Sequence, residues 1–415
     1  MTKKSDAPAI RFKGFSDAWE QRKLGELVDR VVRKNTNNES TLPLTISAQY
    51  GLVDQITYFN NRVASRDVSN YYLVLNGEFA YNKSTSDGYP FGAVKRLDLY
   101  EKGVLSTLYI VFAPKKEQQI DSDYLTVFFD TDRWHKGVAE RAAEGARNHG
   151  LLNISAEDFF DIDLSVPKDI VEQKQIGAFI RQLDNLITLH QRKFEKLTNV
   201  KKSMLEKMFP QNGSSYPEIR FKGFTDPWEQ RKAIDIADYS KGNGYSKGDL
   251  TDAGTPIILY GRLYTKYQFA ISEVDTFAVP RNGAVYSQGN EVIVPASGET
   301  AEDIARASAV EKSGVLLGGD LNILRPFDFI NPLFLALAIS NGEPQKELAK
   351  KAQGKSVVHI HNTDIQEVTI AYPSRTEQDR IVSVFRQLDN LITLHQRELE
   401  KLQNIKKSML EKMFV

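Results

Sequence analysis

The sequence contains no cysteine among its 415 residues. This absence excludes a disulfide framework, a thiol nucleophile and a thiolate metal site, and it favours a reducing cytoplasm as the compartment. No stretch approaches the roughly 20 apolar residues that a helix needs to cross a bilayer. The start, MTKKSDAPAI, lacks the apolar run of a secretory signal. We therefore expect a cytoplasmic protein.

Net charge is absent as well, because 54 Lys and Arg residues balance 54 Asp and Glu residues. Net charge alone therefore does not predict a nucleic-acid partner, and any such binding must depend on local patches. The hydrophobic fraction of 41%, with 10% aromatic residues, is that of an ordinary globular protein. The length allows two or three domains.

The most informative feature is that the chain is written twice. Residues 10–23 read IRFKGFSDAWEQRK and residues 219–232 read IRFKGFTDPWEQRK, with 12 of 14 positions identical. We call these the repeat boxes. A longer pair, 172–210 and 377–415, aligns without gaps and shares RQLDNLITLHQR. Residues 24–171 and 233–376, the first and second variable blocks, show almost no similarity to each other.

This contrast predicts that the shared parts do a common structural job, whereas each variable block does a different specific one. If the C-terminus lay near the N-terminus, the box after the second helix would be the first box, and the molecule would be a ring with pseudo-twofold symmetry. The predicted division is a first globular domain at 1–171, a long helix at 172–209, a linker at 210–218, a second globular domain at 219–376 and a second long helix at 377–415.

The long shared segments have the pattern of coiled-coil helices. Each would begin just after a proline, Pro167 or Pro373. About 37 residues at about 1.5 Å each give a rod of roughly 55 Å, and two nearly identical helices joined through large domains favour an antiparallel pair. The predicted seam recurs at intervals of three and four residues and comprises Ile180, Leu183, Ile187, His190, Phe194 and Leu197, then Phe385, Leu388, Ile392, His395, Leu399 and Leu402.

The two histidines, His190 and His395, could suggest a metal pair, but neither helix has a second ligand at helical spacing. We interpret both as seam residues and predict no metal site. Segment 169–174 faintly resembles the carboxylate and lysine set of a nuclease, yet the second copy has Asp379 where the first has Lys174. The basic run 191–207 is either a solvated face or a surface near DNA phosphates or a partner.

Both variable blocks contain short β-like runs, such as LSTLYIVFAP and NEVIVPAS, and each is predicted to be an α/β domain with a curled sheet. Near its end, each has a glycine loop with basic and amide side chains. Such side chains fit guanine and adenine edges, and glycine lets the backbone approach phosphate closely. The predicted DNA contacts are Arg141, Arg147, Asn148 and His149 in the first loop and Lys350, Lys351, Gln353, Lys355 and Ser356 in the second; weaker candidates are Lys83, Ser84 and Gln288. The alternative for each residue is a polar surface loop that does not contact DNA.

Two near-motifs are rejected. Residues 354–356 read GKS, the end of a phosphate-binding loop, but Ala349 stands where that loop needs its first glycine. Residues 331–334 read NPLF and resemble the catalytic tetrapeptide of amino-methyltransferases, yet Leu333 replaces the second proline. We interpret Pro332 as the opening of a helix instead. The sequence shows no convincing catalytic site.

Taken together, these parts resemble the specificity (S) subunits of type I restriction-modification enzymes over essentially the whole chain. The resemblance is carried by the duplicated layout, by a proline followed by Glu-Gln before each helix (Pro167 with 172–173, Pro373 with 377–378), by LDNLITLHQR, and by FAYNKSTSDGYPFGAVKRL in the first block. It implies an α/β (α+β) fold. Two globular mixed-sheet target-recognition domains would be separated by two long antiparallel coiled-coil helices in a pseudo-twofold internal repeat.

The resemblance also implies a function. Each domain would read one half of a split, asymmetric target in double-stranded DNA, and the helices would act as a ruler and dock two methyltransferase (modification) subunits. Restriction and translocase subunits would join the full complex. S-adenosylmethionine, ATP and Mg are expected on those partners and no cofactor on this chain, which would be non-catalytic. Because the net charge is neutral, we expect partner subunits to provide much of the phosphate contact and the chain alone to bind DNA weakly.

Two other classes of function stay open at this stage. One is a non-catalytic, two-armed protein-interaction scaffold whose basic loops bind no DNA. The other is a self-sufficient nuclease or methyltransferase.

The predicted ruler has the length that its role requires. Half-sites read from one face of DNA lie about one helical turn, roughly 34 to 36 Å, apart, which a rod of the predicted length can span.

Overall fold

The computed structural model describes residues 7–47, 50–86, 88–142, 150, 152–352, 354 and 357–415. The chain divides into two compact units. Unit 1 is built from residues 1–191 and 397–415, and unit 2 from residues 192–396. Each unit therefore combines one variable block with one segment from each long helix.

The elements follow the repeat. The first repeat contains, in chain order, β1 (Glu20–Lys23), α1 (Leu24–Leu27), β2 (Val28–Arg30), β3 (Leu44–Ser47), β4 (Gly51–Asp54), α2 (Gln55–Phe59), β5 (Tyr72–Leu75), β6 (Phe79–Asn82), β7 (Ala93–Arg96), β8 (Lys102–Leu105), β9 (Ile110–Pro114), α3 (Ser122–Phe129), α4 (His135–Arg141), α5 (Ala156–Phe160), β10 (Asp163–Val166) and α6 (Ile170–Lys207).

The second repeat continues with β11 (Glu229–Lys232), β12 (Ala237–Lys241), β13 (Leu250–Thr251), β14 (Thr255–Ile258), α7 (Arg262–Thr265), β15 (Ala270–Ile271), β16 (Phe277–Ala278), β17 (Tyr286–Gln288), β18 (Glu291–Pro295), β19 (Ser297–Gly298), α8 (Ala301–Ile304), β20 (Ser308–Val310), β21 (Ser313–Leu317), β22 (Leu321–Pro326), α9 (Pro332–Ile339), α10 (Gly342–Lys351), β23 (Val358–His359), α11 (Asn362–Gln366), β24 (Thr369–Tyr372) and α12 (Arg375–Lys412). Short 3-10 helices cover Ala233–Asp235 and Lys247–Asp249.

The prediction of two long helices is confirmed, since α6 and α12 each run for 38 residues. Both begin two residues before the predicted start, directly after the proline-containing turns. The described seam residues are buried or half-buried, His190 and His395 included. By contrast, two leucine pairs at equivalent places in the repeats are exposed, namely Leu186 with Leu189 and Leu391 with Leu394.

The helices pack antiparallel within each unit. In unit 1 the start of α6, around Ile176 and Leu183, shares a core with the end of α12 from Leu402 onward. In unit 2 the start of α12, around Ile381 and Phe385, shares a core with the end of α6. In both cases the beginning of one helix lies against the end of the other, as the near identity of the two helices predicted.

The end of each long helix completes the core of the unit in which it lies. Phe209 follows α6 and packs edge-on against Trp228 of the second box, with ring centroids 5.9 Å apart. Phe414 follows α12 and packs edge-on against Trp19 of the first box, at 6.1 Å. The backbone repeats the arrangement, because Ile219 N donates to Lys207 O at 2.9 Å and Ile10 N donates to Lys412 O at 3.0 Å. The end of each long helix is thus held by a repeat box in the same way, and the C-terminus lies near the first box.

Each variable block has its own core sheet, and the two core sheets have the same strand order despite the dissimilar sequences of the blocks. Its strand order is β2-β9-β6-β7 in the first block and β12-β22-β18-β20 in the second, where β15 adds a further strand beside β20. In each of these four-stranded arrangements, the strand that comes last in the sequence, β9 or β22, lies between the two that come first. All neighbouring strands within these two sets of four are antiparallel. The second block adds a sheet β13-β16-β14-β21-β17 in which β14 and β21 run parallel. β6 and β18 are therefore equivalent strands.

A buried glutamine near the start of each long helix fixes one helix of each block. Gln173 Oε1 accepts from the backbone N of Asp121, the N-cap of α3, at 2.9 Å. Gln378 Oε1 accepts from the backbone N of Asn331, the N-cap of α9, at 2.7 Å. The helices α3 and α9 are therefore equivalent. The interpretation of residues 331–334 as a helix start is confirmed, because Pro332 occupies the first turn of α9.

A buried glutamate precedes each of these glutamines and pairs with an arginine of the repeat box. Arg11 donates from Nε and Nη2 to the two oxygens of Glu172 at 2.6 and 2.8 Å. Arg220 makes the same two bonds to Glu377, both at 2.8 Å. Each glutamate side chain is only 1% exposed. Glu172, the glutamate of segment 169–174, therefore holds the box against the helix.

Candidate nucleic-acid interface

In the first block, the chain that leaves β6 lies beside the end of the glycine loop. Thr85 N and Thr85 Oγ1 both donate to Gly150 O, at 2.6 and 3.0 Å. Leu152 N donates to Lys83 O at 3.0 Å. We call residues 83–86 the first exit segment. The structure thus places Lys83 and Thr85, on either side of Ser84, next to Gly150 and Leu152 at the end of the glycine loop, although these candidates are far apart in the sequence.

The side chains of this first site differ in how free they are. Ser84 is exposed, whereas Lys83 is half-buried and its Nζ donates to Ile154 O at 3.3 Å. Arg141 is engaged within the domain, because its Nη2 donates to Asp161 Oδ2 at 2.8 Å and its Nη1 donates to Gly137 O at 3.2 Å. Arg147, Asn148 and His149 lie outside the described residues. A DNA contact by Arg141 stays a prediction, and it would require this arginine to leave Asp161.

The Arg141 pair also has an electrostatic consequence. The hydrogen bond from Arg141, followed by that from Lys23, holds the pKa of Asp161 below its ordinary value. A carboxylate that stays ionised keeps its attraction for the guanidinium throughout the neutral range. The arrangement therefore favours a structural role for Arg141 at the end of α4.

The second block has the same geometry at the equivalent strand. Ile360 N donates to Ala296 O at 3.0 Å, directly after β18, as Leu152 N does to Lys83 O after β6. The next residues form a small ladder in which β19 pairs antiparallel with β23. His359 Nδ1 lies 3.1 Å from Ser297 Oγ. We call residues 296–300 the second exit segment.

The second glycine loop leads into this ladder from α10. Gly354 has φ +144°, a backbone conformation that side chains disfavour. Lys350 is exposed at the end of α10, whereas Lys351 is ion-paired with Glu367, which raises the pKa of Lys351. Gln353, Lys355 and Ser356 lie outside the described residues. Of the two described lysines in this loop, Lys350 has the more accessible charge.

Gln288 does not join this site. It ends β17, in a hairpin whose turn residues Gly289 and Asn290 both have positive φ, and it precedes β18. The second exit segment follows β18, so Gln288 and that segment lie at opposite ends of this strand. The backbone N of Gln288 donates to the buried carboxylate of Glu291 at 2.5 Å. That contact stabilises the hairpin turn.

The sequence reasoning missed Ser297 and His359. Both lie in the ladder that corresponds to the first exit segment, and His359 is exposed. The signal that would have found Ser297 was present, since NEVIVPAS was identified as a strand and Ser297 is the last residue of that run. What the sequence could not show was that this strand corresponds to FAYN in the first block.

The part of the chain that the structure describes contains no group of three or more His, Asp or Glu residues that could hold a metal ion. Nor does any of the described helices have the length and apolar character needed to span a membrane.

The repeated units are matched by one known family. The type I restriction modification DNA specificity domain matches residues 17–199 and again residues 225–404. The chain belongs to this family. The two matches cover the two repeats that the boxes and long helices defined. The resemblance that the sequence suggested is therefore confirmed, and the chain is a specificity subunit of a type I restriction-modification system.

Individual relatives agree with the family. A protein of Methanocaldococcus jannaschii, named as the type I restriction enzyme MjaVIII specificity subunit, is 22% identical over 368 residues, covering 85% of this chain and 82% of the relative. A second protein of that organism, named as the putative type I restriction enzyme MjaX specificity subunit, is 20% identical over 94% and 92% of the two chains.

The fold is also found in a solved structure. The crystal structure of the type I restriction-modification system S subunit from M. genitalium superposes with a TM-score of 0.61, 13% identity and 99% coverage of both chains. At this identity the likeness shows the fold, which is that of a specificity subunit with two mixed-sheet domains and long paired helices.

Proposed function

We propose that this specificity subunit reads two unlike half-sites of double-stranded DNA, one with each variable block. The observation that carries the proposal is the equivalence of the two exit segments. Each segment follows the equivalent strand of its own core sheet, β6 or β18, and each contacts the end of a glycine loop. The first segment nevertheless has the sequence KSTS and the second ASGET. One scaffold with different side chains at its reading position is what an asymmetric, bipartite target requires.

The chemistry of the exit segments suits base edges and phosphates. Lysine and serine at 83–84 supply donors for guanine O6 and N7 and for phosphate oxygens. Exposed His359, beside Ser297, supplies a ring nitrogen to the second half-site. The glycine loops would bring backbone N–H groups close to phosphate. Neither block has an excess of basic residues, so we propose that partner subunits provide much of the phosphate contact.

The long helices would set the spacer and dock the partners. A helix of 38 residues is about 57 Å long. The exposed leucine pairs, Leu186 with Leu189 and Leu391 with Leu394, occupy equivalent places in the two repeats. Because the same apolar surface is presented twice, it fits two copies of one partner, and we propose methyltransferase subunits. Those partners would bind S-adenosylmethionine, and separate motor subunits would bind ATP and Mg. This chain would supply the DNA sequence specificity and no catalysis.

The proposal is tested by changing the candidate contacts of one half-site at a time, in the complex with the modification subunits. Replacing Lys83 by Gln together with Ser84 by Ala is expected to alter or relax one half-site, leaving the other half-site and the spacer unchanged. His359→Ala is expected to affect the other half-site alone. Lys116→Gln, an exposed lysine in the turn after β9, is the control. The readout is the methylated motif in a randomised DNA library.

Two results would contradict the assignment. A uniform loss of methylation across all sequences would mark Lys83 and Ser84 as phosphate contacts and not as base readers. An unchanged motif in both the Lys83/Ser84 variant and His359→Ala would show that the half-sites are read elsewhere in the blocks.

A further inference from the structure

The long helices carry a repeated set of three charged residues. In unit 1 it comprises Arg181 and Asp184 of α6 and Lys406 of α12; in unit 2 it comprises Arg386 and Asp389 of α12 and Lys201 of α6. Each residue lies 205 positions from its counterpart. Lys406 Nζ is 2.6 Å from Asp184 Oδ1, and Lys201 Nζ is 2.5 Å from Asp389 Oδ1. We call these sets clamp 1 and clamp 2.

Clamp 1 holds the first variable block through two carboxylates, one in the first turn of α3 and one directly after its last residue. Arg181 Nη1 donates to Asp123 Oδ1 at 2.6 Å. Lys406 Nζ lies 3.7 Å from Oδ2 of Asp130, the residue that ends α3. Both carboxylates also pair inside the block, Asp123 with Arg96 and Asp130 with Lys95. The two cations of clamp 1 therefore meet both ends of one helix of the block.

Clamp 2 holds the second block through different elements. Arg386 pairs with Glu311, which lies in the turn between β20 and β21. The ammonium group of Lys201 stands over the ring of Phe269, 5.8 Å from its centroid. An acid and an aromatic face thus take the places that two acids take in the first block.

The carboxylates that pair with Arg181 and Arg386 do not occupy equivalent positions in the two blocks. Asp123 lies two residues after the N-cap of α3, and the equivalent residue, two after the N-cap of α9, is Leu333. The second block therefore lacks an acid where the first has one and supplies Glu311 from elsewhere. Identical arginines on the helices meet a carboxylate in both units, although the carboxylates come from unrelated parts of the sheet domains.

We propose that Arg181 and Arg386 are positioning residues that hold each variable block at a fixed angle on its helix pair, so that each half-site is read at one spacing. The inference rests on the proposed function and adds a rule to it. A variable block fits this scaffold when it presents a carboxylate to the arginine of the clamp, whatever DNA sequence it reads. Because the Arg386–Glu311 pair is partly exposed, losing it should loosen the block and leave the unit folded.

The test uses the full chain with its modification subunits and a DNA library in which the spacer differs from the cognate length by one base pair either way. Arg386→Gln and Glu311→Gln should each raise methylation at the wrong spacers, relative to the cognate spacer, by roughly two- to fivefold. The exchange of charges, Arg386→Glu with Glu311→Arg, should return this ratio toward the wild-type value. Arg397→Gln, an exposed arginine three turns further along α12, is the matched control.

The outcomes separate the inference from the proposed function. If the wild-type complex methylates no split motif, the proposed function fails. If it methylates one spacer and both single variants do so with the same ratio, the positioning role alone is overturned. Equal loosening by Arg397→Gln, or no recovery in the charge exchange while melting temperatures stay unchanged, would also overturn it. A change in half-site bases would assign Glu311 to base reading instead.

Discussion

Removal of Arg11 should destabilise one unit and leave the other intact. Arg11 satisfies both oxygens of Glu172, whose side chain is 1% exposed, and is itself 13% exposed. Arg11→Ala would leave that carboxylate buried without its cation. Removing one partner of a buried pair costs about 3 to 5 kcal/mol. Since the arginine end retains some contact with water, we expect about 3 kcal/mol of local stability to be lost.

The assay is amide hydrogen exchange, because it reports local opening in each unit separately. A loss of about 3 kcal/mol corresponds to roughly a hundredfold faster exchange where opening is local. We expect this acceleration in the first box and the first turns of α6, with unit 2 unchanged. Arg220→Ala should give the mirror result around the start of α12, because Arg220 and Glu377 make the same pair.

A milder variant serves as the control. Glu172→Gln keeps the shape of the side chain and leaves an arginine that can still reach solvent, so it should cost less than Arg11→Ala. Amide exchange in Arg11→Ala that is unchanged, or that is equally accelerated in both units, would refute the view that each repeat box stabilises the start of only one long helix.

Other predictions follow from the same contacts. A circular permutant that joins Val415 to Ala7 through a short linker and opens the chain within 210–218 should methylate the same motif, because Ile10 already bonds to the end of α12; loss of activity in a folded permutant would count against the ring. Insertion of about four residues, one helical turn, into a long helix should lengthen the spacer without changing the half-sites, as methylation mapping would show; a changed half-site with an unchanged spacer would overturn the ruler. Burial lowers the pKa of His135 below its ordinary 6.5, so as the pH falls His135 is protonated in the unfolded chain before it is protonated in the folded chain, and the stability of the folded chain decreases below about pH 6.5. Between pH 7 and pH 5, the melting temperature of His135→Gln should therefore fall less than that of the natural chain. Equal falls in the two proteins would contradict this.

Much of the architecture could be predicted because it is repeated. Identity between two segments of one chain, beside blocks that differ, reveals which parts share a structural task. The seam spacing then predicts helices, and the prolines at 167 and 373 predict where they begin. The repeat predicts a ring if the C-terminus lies near the N-terminus, and the packing of Phe414 against Trp19 meets that condition.

The candidate nucleic-acid interface is harder to predict because its parts are far apart in the sequence. The core sheet pairs β2 with β9 and β6 with β9, and no local pattern announces such pairings. Without them, the equivalence of Lys83 and Ala296 was invisible. Gln288 lies at the other end of β18, and a DNA contact by it stays a prediction. The position of Arg141 in the glycine loop and its residue type suggest a DNA contact, but they do not reveal that its guanidinium pairs with Asp161.

Single-molecule methylation mapping tests the central claim most directly. The DNA would come from cells that express this chain with its cognate modification subunits, and from cells in which the second variable block is replaced by a copy of the first. The account predicts a split, asymmetric motif with one fixed spacer for the natural chain, and a symmetric repeat of one half-site for the replaced chain. An identical motif from both chains, or a motif that persists when this chain is deleted, would contradict it.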